Sequence, residues 1–213
     1  MSLTLLFHHG WGFDASFWTP LTQILSDMPQ VVDDVGYFGA TIAPAVTGPC
    51  LAITHSFGTM RLLAAPPPGL VGIVAISGFD RFTRAEDCTG VADRIVSRMI
   101  GAMAQAPETV LADFHTTLGS TAPTADVNVD RLLADLQIMR DGDFRFVAGA
   151  LDVSVLSLQG DRDPLLPMPM RETVFAATTG VMRRNHPGAG HLLPREEPAW
   201  CADAICSFIA TLP

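Results

Sequence analysis

Residues 54–59, THSFGT, follow the apolar run CLAI and lead into RLLAA, so a serine falls where a strand should turn into a helix. This is the place of a nucleophile elbow, G-x-S-x-G, whose tight turn pushes the serine hydroxyl toward substrate. Gly58 keeps the second glycine, and Thr54, stiffer and larger, stands at the first. A serine hydroxyl is a poor nucleophile without a base to take its proton. His191, in the Gly-rich stretch NHPGAGHLLPREEP, is the preferred base, because the loop past Gly190 can reach the carboxyl edge of a sheet. His186, five residues earlier, is its rival. The base needs a carboxylate to hold its tautomer. The run SLQGDRDPLLP offers two just past a strand: Asp163 is favoured, since Pro164 fixes the turn after it, and Asp161 can instead cap that turn. Asp80, in SGFD, is a third option. The chain order Ser56, Asp163, His191 is one that serine hydrolases use. The 28 residues from acid to base hold one helix and one strand.

Acyl transfer also needs fixed N–H groups for the negative charge that develops on the carbonyl oxygen. Phe57, next after the serine, supplies one candidate. Trp11 in HHGWGFDASFW supplies the other, with Gly10 and Gly12 letting the backbone come close to substrate. Trp11, Phe13, Phe57, Phe79 and methionines of the middle segment are the expected walls of an apolar pocket. His8 and His9 are adjacent on a strand and so face opposite ways; they are read as strand-end residues bonding nearby loops, and no metal site is expected.

The elements that must hold these groups alternate between strand-like runs and helical patterns, the mark of a parallel sheet covered by helices. Strands are expected at 3–9, 31–36, 50–55, 70–78, 153–160 and near GVMRRN, with helices at DASFWTPLTQILSD, 57–65, MRETVFAAT and PAWCADAICSFIATL. From about Asp80 to Ala150 no strand is expected. VADRIVSRMIGAMAQ, PETVLADFHTTLG and VDRLLADLQIMRDG instead repeat apolar residues every three or four positions, as amphipathic helices do. The expected organisation is a core of residues 1–79 and 151–213, with 80–150 as a helical cap over the strand ends, where ligands of such sheets bind.

The chain has 213 residues, 48% of them hydrophobic and 16% charged, and carries a net charge of -9. That excludes a disordered chain and argues against a nucleic-acid partner, which would need a basic face. All 13 basic residues are Arg, scattered from 61 to 195. The start, MSLTLLFHHGW, lacks the basic region and apolar length of a leader, and no run approaches a membrane span. Cys50, Cys88, Cys201 and Cys206 are read as free thiols, so a cytoplasmic location is expected.

Taken together, FHHGWGFDASFW, THSFGT, GDRDPLLP and GAGHLLPREEP resemble the α/β-hydrolase superfamily over most of residues 3 to 212. The resemblance implies a mostly parallel sheet with a helical cap, a Ser-His-Asp triad, no cofactor, and a reduced form without the superfamily's first two strands. A serine at 56 disfavours the dehalogenase and epoxide hydrolase branches, which use aspartate there. HGWGFDASFW is similar to the pimeloyl-acyl-carrier-protein methyl ester esterases of biotin synthesis, in which cap arginines engage the acidic carrier protein. The segment 80–150 carries seven arginines (Arg81, Arg84, Arg94, Arg98, Arg131, Arg140 and Arg145) and eleven acids. Carrier docking therefore requires the arginines to gather on one face. A carboxylesterase acting on a small ester, free or held on acyl carrier protein, is the leading reading. Thioesterase or other hydrolase activity, and a catalytically silent binding protein, stay open. The oligomeric state is not readable.

Overall fold

The structure, a computed structural model, describes residues 3–212. Strands β1 (Thr4–His8), β2 (Gln30–Val32), β3 (Cys50–His55), β4 (Leu70–Ile76), β5 (Ser154–Gly160) and β6 (Met182–His186) form one sheet in the order β2-β1-β3-β4-β5-β6. Every pairing is parallel, so all six carboxyl ends lie along one edge. Parallel strands need crossover connections, and those connections put helices on both faces.

One face packs a short 3-10 turn (Ala15–Trp18), α1 (Thr19–Ile24) and the C-terminal helix. Its core includes Phe7, Ile53, Val74, Trp18, Leu21, Ile205 and Phe208. The alternate strand positions, Ala52, Ile73 and Ala75, join the core of the other face with Met60 and Leu63 of α2 (Gly58–Ala64). Successive side chains of a strand point to opposite faces, so these strands serve two cores and read as unbroken apolar runs.

Between β4 and β5 lie four helices: α3 (Asp93–Met103), α4 (Pro107–Thr117), α5 (Val129–Asp141) and α6 (Arg145–Ala150). Val96, Leu132 and Leu136 from this insertion continue the α2-face core. The chain closes with α7 (Met168–Thr173), α8 (Leu193–Glu196) and α9 (Pro198–Ile209). The six-stranded sheet with a helical insertion after its fourth strand is the fold class the sequence predicts.

Differences are local. The strand expected at 31–36 ends at Val32, because Asp34 exchanges both backbone hydrogen bonds with Ile42 instead of continuing along β1. The helix expected over MRETVFAAT stops at Thr173: Val174 turns extended, and Phe175 adopts a left-handed φ of 59° and donates its N–H to Asp80. The short helices α6 and α8 have too few turns to show a periodicity and were not expected.

Candidate active site

Ser56 follows β3 directly and precedes α2, and its φ is +52°. A non-glycine residue in the left-handed region costs roughly 1–2 kcal/mol, so the surroundings must hold it there. Its N–H is bonded to Ile76 O of the neighbouring strand and its C=O to Thr59 N of the helix. Gly58 has no freedom to change: a Cβ there would sit 2.4 Å from His8 O and 2.6 Å from His9 O. Thr54 is completely buried, and its hydroxyl meets the Thr59 hydroxyl at 2.6 Å. The departure from glycine is thus accommodated by a threonine five residues on, which gives the extra hydroxyl a partner.

His191 Nε2 lies 3.0 Å from Ser56 Oγ, and its Nδ1–H donates to Asp163 Oδ2 at 2.7 Å. These side chains come from three loops at the same sheet edge, 135 and 28 residues apart in sequence. The other Asp163 oxygen accepts the N–H groups of Leu165 and Leu166 at 2.7 and 3.0 Å, closing the turn that Pro164 sets. Burial pushes the Asp163 pKa up. The His191 charge, its hydrogen bond and the two N–H groups more than offset this and hold the carboxyl below its ordinary value. Asp163 therefore stands ionised beside the imidazole.

Two groups that the sequence does not single out fix the backbone of His191. Ser77, at φ +47° just past β4, donates its hydroxyl to His191 O at 3.0 Å. His55 Nε2–H donates to the same oxygen at 3.1 Å. Burial, then the neighbouring His191, holds the His55 pKa well below the ordinary histidine value, so His55 is neutral. Its ring stacks on Phe17 at 4.3 Å. No short pattern announces these roles, because each depends on a partner more than 100 residues away.

The rivals lie elsewhere. His186 packs edge-on against Trp200, Asp161 pairs with Arg171, and Asp80 accepts from Phe175 N–H. His8 donates to Asp33 Oδ2 at 2.7 Å, while His9 Nδ1–H donates to Gly10 O at 2.9 Å and its Nε2 accepts from Val35 N–H. These are strand-end histidines bonded to neighbouring loops. The carbonyl that His9 holds belongs to the same peptide as the Trp11 N–H. In a trans peptide the two point opposite ways, so that N–H is turned away from His9. Gly10 lies against the elbow: a Cβ there would be 3.1 Å from Ser56 Cβ. Among the described residues, neither Trp11 N–H nor Phe57 N–H has a protein acceptor.

A largely apolar cavity of about 260 Å³ opens at Ser56, lined by Trp11, Phe82, Val96, Met99, Phe114, Leu136, Met139 and Leu165 among others. Trp11 and two cap methionines are thus walls as expected. Phe13, Phe57 and Phe79 do not line it. Phe13 is turned into the packing of Phe17, His55 and His115, Phe57 is wholly buried in the α2-face core, and Phe79 is buried against Phe82. Ile95, Met99, Phe114 and Leu165 also border an outer groove of about 610 Å³ that carries Arg94, Arg98 and Asp113. Neither arginine has an ion-pair partner among the described residues, whereas Arg81, Arg140 and Arg145 are paired with acids of the insertion and its flanks.

No protein-family model matches the chain. It is similar to the biotin biosynthesis bifunctional protein BioHC of Cellvibrio japonicus (strain Ueda107), with 24% identity over 243 residues and 98% of this chain covered. It spans 48%, about half, of that relative's length. It is also similar to a pimeloyl-[acyl-carrier protein] methyl ester esterase of Legionella pneumophila (strain Corby), 23% identical over 212 residues, covering 90% of this chain and 85% of that one. Among solved structures, the esterase EaEST from Exiguobacterium antarcticum superposes with a TM-score of 0.84 at 15% identity, over 99% of this chain and 94% of that one. With its all-parallel sheet, its strand-turn-helix at Ser56 and its helical insertion after the fourth strand, the chain has the α/β-hydrolase fold.

Proposed function

We propose that the protein is a serine hydrolase that cleaves a carboxylic ester through an acyl-enzyme. The observation that carries this is the hydrogen-bonded line from Ser56 Oγ to His191 Nε2 and from His191 Nδ1 to Asp163, set at the mouth of an apolar cavity. In this reading His191 takes the Ser56 proton as Oγ attacks the ester carbonyl. The N–H groups of Trp11 and Phe57 hold the oxyanion, and ionised Asp163 stabilises the imidazolium. His191 then protonates the leaving alcohol, and water, activated by the same imidazole, releases the acid. The helices of residues 80–150 act as a cap that lines the cavity and excludes water. Likeness to proteins named as esterases supports the ester as substrate.

The test is a fluorophosphonate probe with mass-spectrometric mapping, alongside hydrolysis of p-nitrophenyl esters. Ser56 should be labelled in the parent and not in His191→Ala, and Ser56→Ala should lose activity by ~10³-fold or more. A folded parent that neither labels nor hydrolyses would favour a silent binding protein. Hydrolysis of acyl thioesters in preference to oxygen esters would make it a thioesterase.

A finer reading concerns the substrate. Arg94 and Arg98, one turn apart on α3, flank the groove that runs into the Ser56 cavity. Such a site suits an acyl chain whose far end carries an anionic group or an acidic carrier protein; the name of the Legionella pneumophila relative includes an acyl-carrier protein, which supports the second. A methyl ester of an acyl chain held on acyl carrier protein should then be cleaved faster than the free ester of the same chain.

A further inference from the structure

The loop that bears Trp11 is held from both sides. At its start, His9, itself held by Val35 N–H, donates from Nδ1 to Gly10 O. The insertion holds its other end. His115, in the last turn of α4, is buried, and its Nε2 lies 2.8 Å from Gly12 O, 103 residues away. A carbonyl only accepts, so the proton is on Nε2. Nδ1 is left to accept from the Ser120 hydroxyl at 2.9 Å. Burial holds the His115 pKa below its ordinary value, so the neutral ring with this one N–H is the form present. The same helix sets Phe114 edge-on to the Trp11 ring, with centroids 4.9 Å apart, and puts Leu111 and Phe114 against Gly12. The Trp11 indole N–H in turn donates to Leu132 O of α5 at 3.0 Å.

A surface helix gains nothing intrinsic from a buried histidine at this position; the polar ring is tolerable there because it meets Gly12 and Ser120. We propose that His115 is a positioning residue: by holding Gly12 C=O it sets the loop so that the Trp11 N–H meets the oxyanion forming on Ser56. The cap helix α4 is then part of the catalytic apparatus as well as a cover. This rests on the reading of Ser56 as nucleophile.

The experiment compares His115→Ala, His115→Gln and Ser120→Ala with the parent. A misplaced donor loses transition-state binding and leaves ground-state binding alone. His115→Ala should lower kcat by ~10- to 100-fold with KM changed by less than about threefold. The inhibition constant of an aryl trifluoromethyl ketone, which forms a tetrahedral oxyanion on the serine, should weaken by the same factor as kcat/KM, while inhibition by the product acid stays put. His115→Gln, whose amide N–H can reach the same carbonyl, should recover to within about threefold of the parent. Ser120→Ala, which frees the tautomer, should lose kcat by a smaller factor in the same direction. A folded His115→Ala protein with parental kcat, or a loss wholly in KM, overturns the proposal. So does His115→Gln as impaired as His115→Ala, or, if His115→Ala does not fold, parental kcat and ketone inhibition in Ser120→Ala. Fluorophosphonate labelling of Ser56 in the parent separates the two readings. Its absence together with absent hydrolysis removes the nucleophile and this proposal with it, whereas labelling with unaffected His115 variants removes this proposal alone.

Discussion

Helices α5 and α3 border the same cavity but are held by different forces. Helix α5 is tied to the core by hydrogen bonds at three levels: Asn128 N–H to Tyr37 O, Trp11 Nε1–H to Leu132 O, and Tyr37 O–H to Asp135 Oδ2 at 2.5 Å. Among the described residues, α3 makes no hydrogen bond to the sheet core. It is held by apolar contacts of Val96, Met99 and Met103, and Ile95, Arg94 and Arg98 stand exposed at the groove. Hydrogen bonds fix direction, whereas apolar contact is non-directional and tolerates sliding. This contrast predicts that the α5 wall is the more rigid and the α3 wall the more adjustable.

The largest effect that could sharpen this contrast lies in the fixed part. Asp163→Asn keeps the shape of the turn but removes the charge that stabilises an imidazolium. A loss of ~10³- to 10⁴-fold in kcat is expected, with KM little changed, from steady-state kinetics on a p-nitrophenyl ester. A small loss would mean that the buried Asp163–His191 pair is only a structural tie.

Next is the α5 anchor. Asp135→Ala leaves the buried Tyr37 hydroxyl without an acceptor and should cost ~1–3 kcal/mol in urea unfolding at pH 7. Asp135→Asn keeps an acceptor, and its sign is informative. Burial raises the Asp135 pKa, the Tyr37 hydrogen bond notwithstanding. A carboxyl whose folded pKa is raised contributes most below its unfolded pKa, and that contribution is lost as pH rises through the folded value. The stability difference between Asp135→Asn and the parent should therefore move in the parent's favour as the pH falls from 7 toward 4.

The adjustable part predicts a change of preference. Arg94→Ala with Arg98→Ala should lower the ratio of kcat/KM for a carrier-held ester over a neutral p-nitrophenyl ester by about tenfold, the loss of roughly 1.4 kcal/mol of attraction. High salt should compress the same ratio in the parent. An unchanged ratio would break the link between α3 and substrate choice. The subtlest readout is hydrogen exchange: amides of α3 should exchange faster than those of α5, and a substrate analogue should protect α3 more. Equal protection would show that both walls are equally fixed.

Much of this was legible in the chain. The apolar runs of β1, β3 and β4 are continuous because both their faces are buried. The motifs at 54–59, 161–167 and 188–191 announce themselves because turns need Gly, Pro and Asp at set places. The structure brings Ser56, Asp163 and His191 within hydrogen-bonding distance, the set preferred from the sequence over His186 and Asp161. The pocket walls were less legible. Phe13, Phe57 and Phe79 are aromatic residues near the right loops, but whether an aromatic faces a cavity or a core depends on what is packed behind it.

The sequence by itself determined the sheet, the helical insertion and the residue types able to make a hydrogen-bonded line of serine, histidine and aspartate, because periodicity and turn chemistry are local properties. Only the tertiary structure decided how Thr54 is accommodated by Thr59, how Ser77 and His55 hold the His191 carbonyl, and how His115 reaches Gly12. Most of these contacts join side chains to backbone groups more than 100 residues away. A backbone carbonyl carries no residue identity, so no pattern in the chain can mark it as a partner until the fold has placed it there.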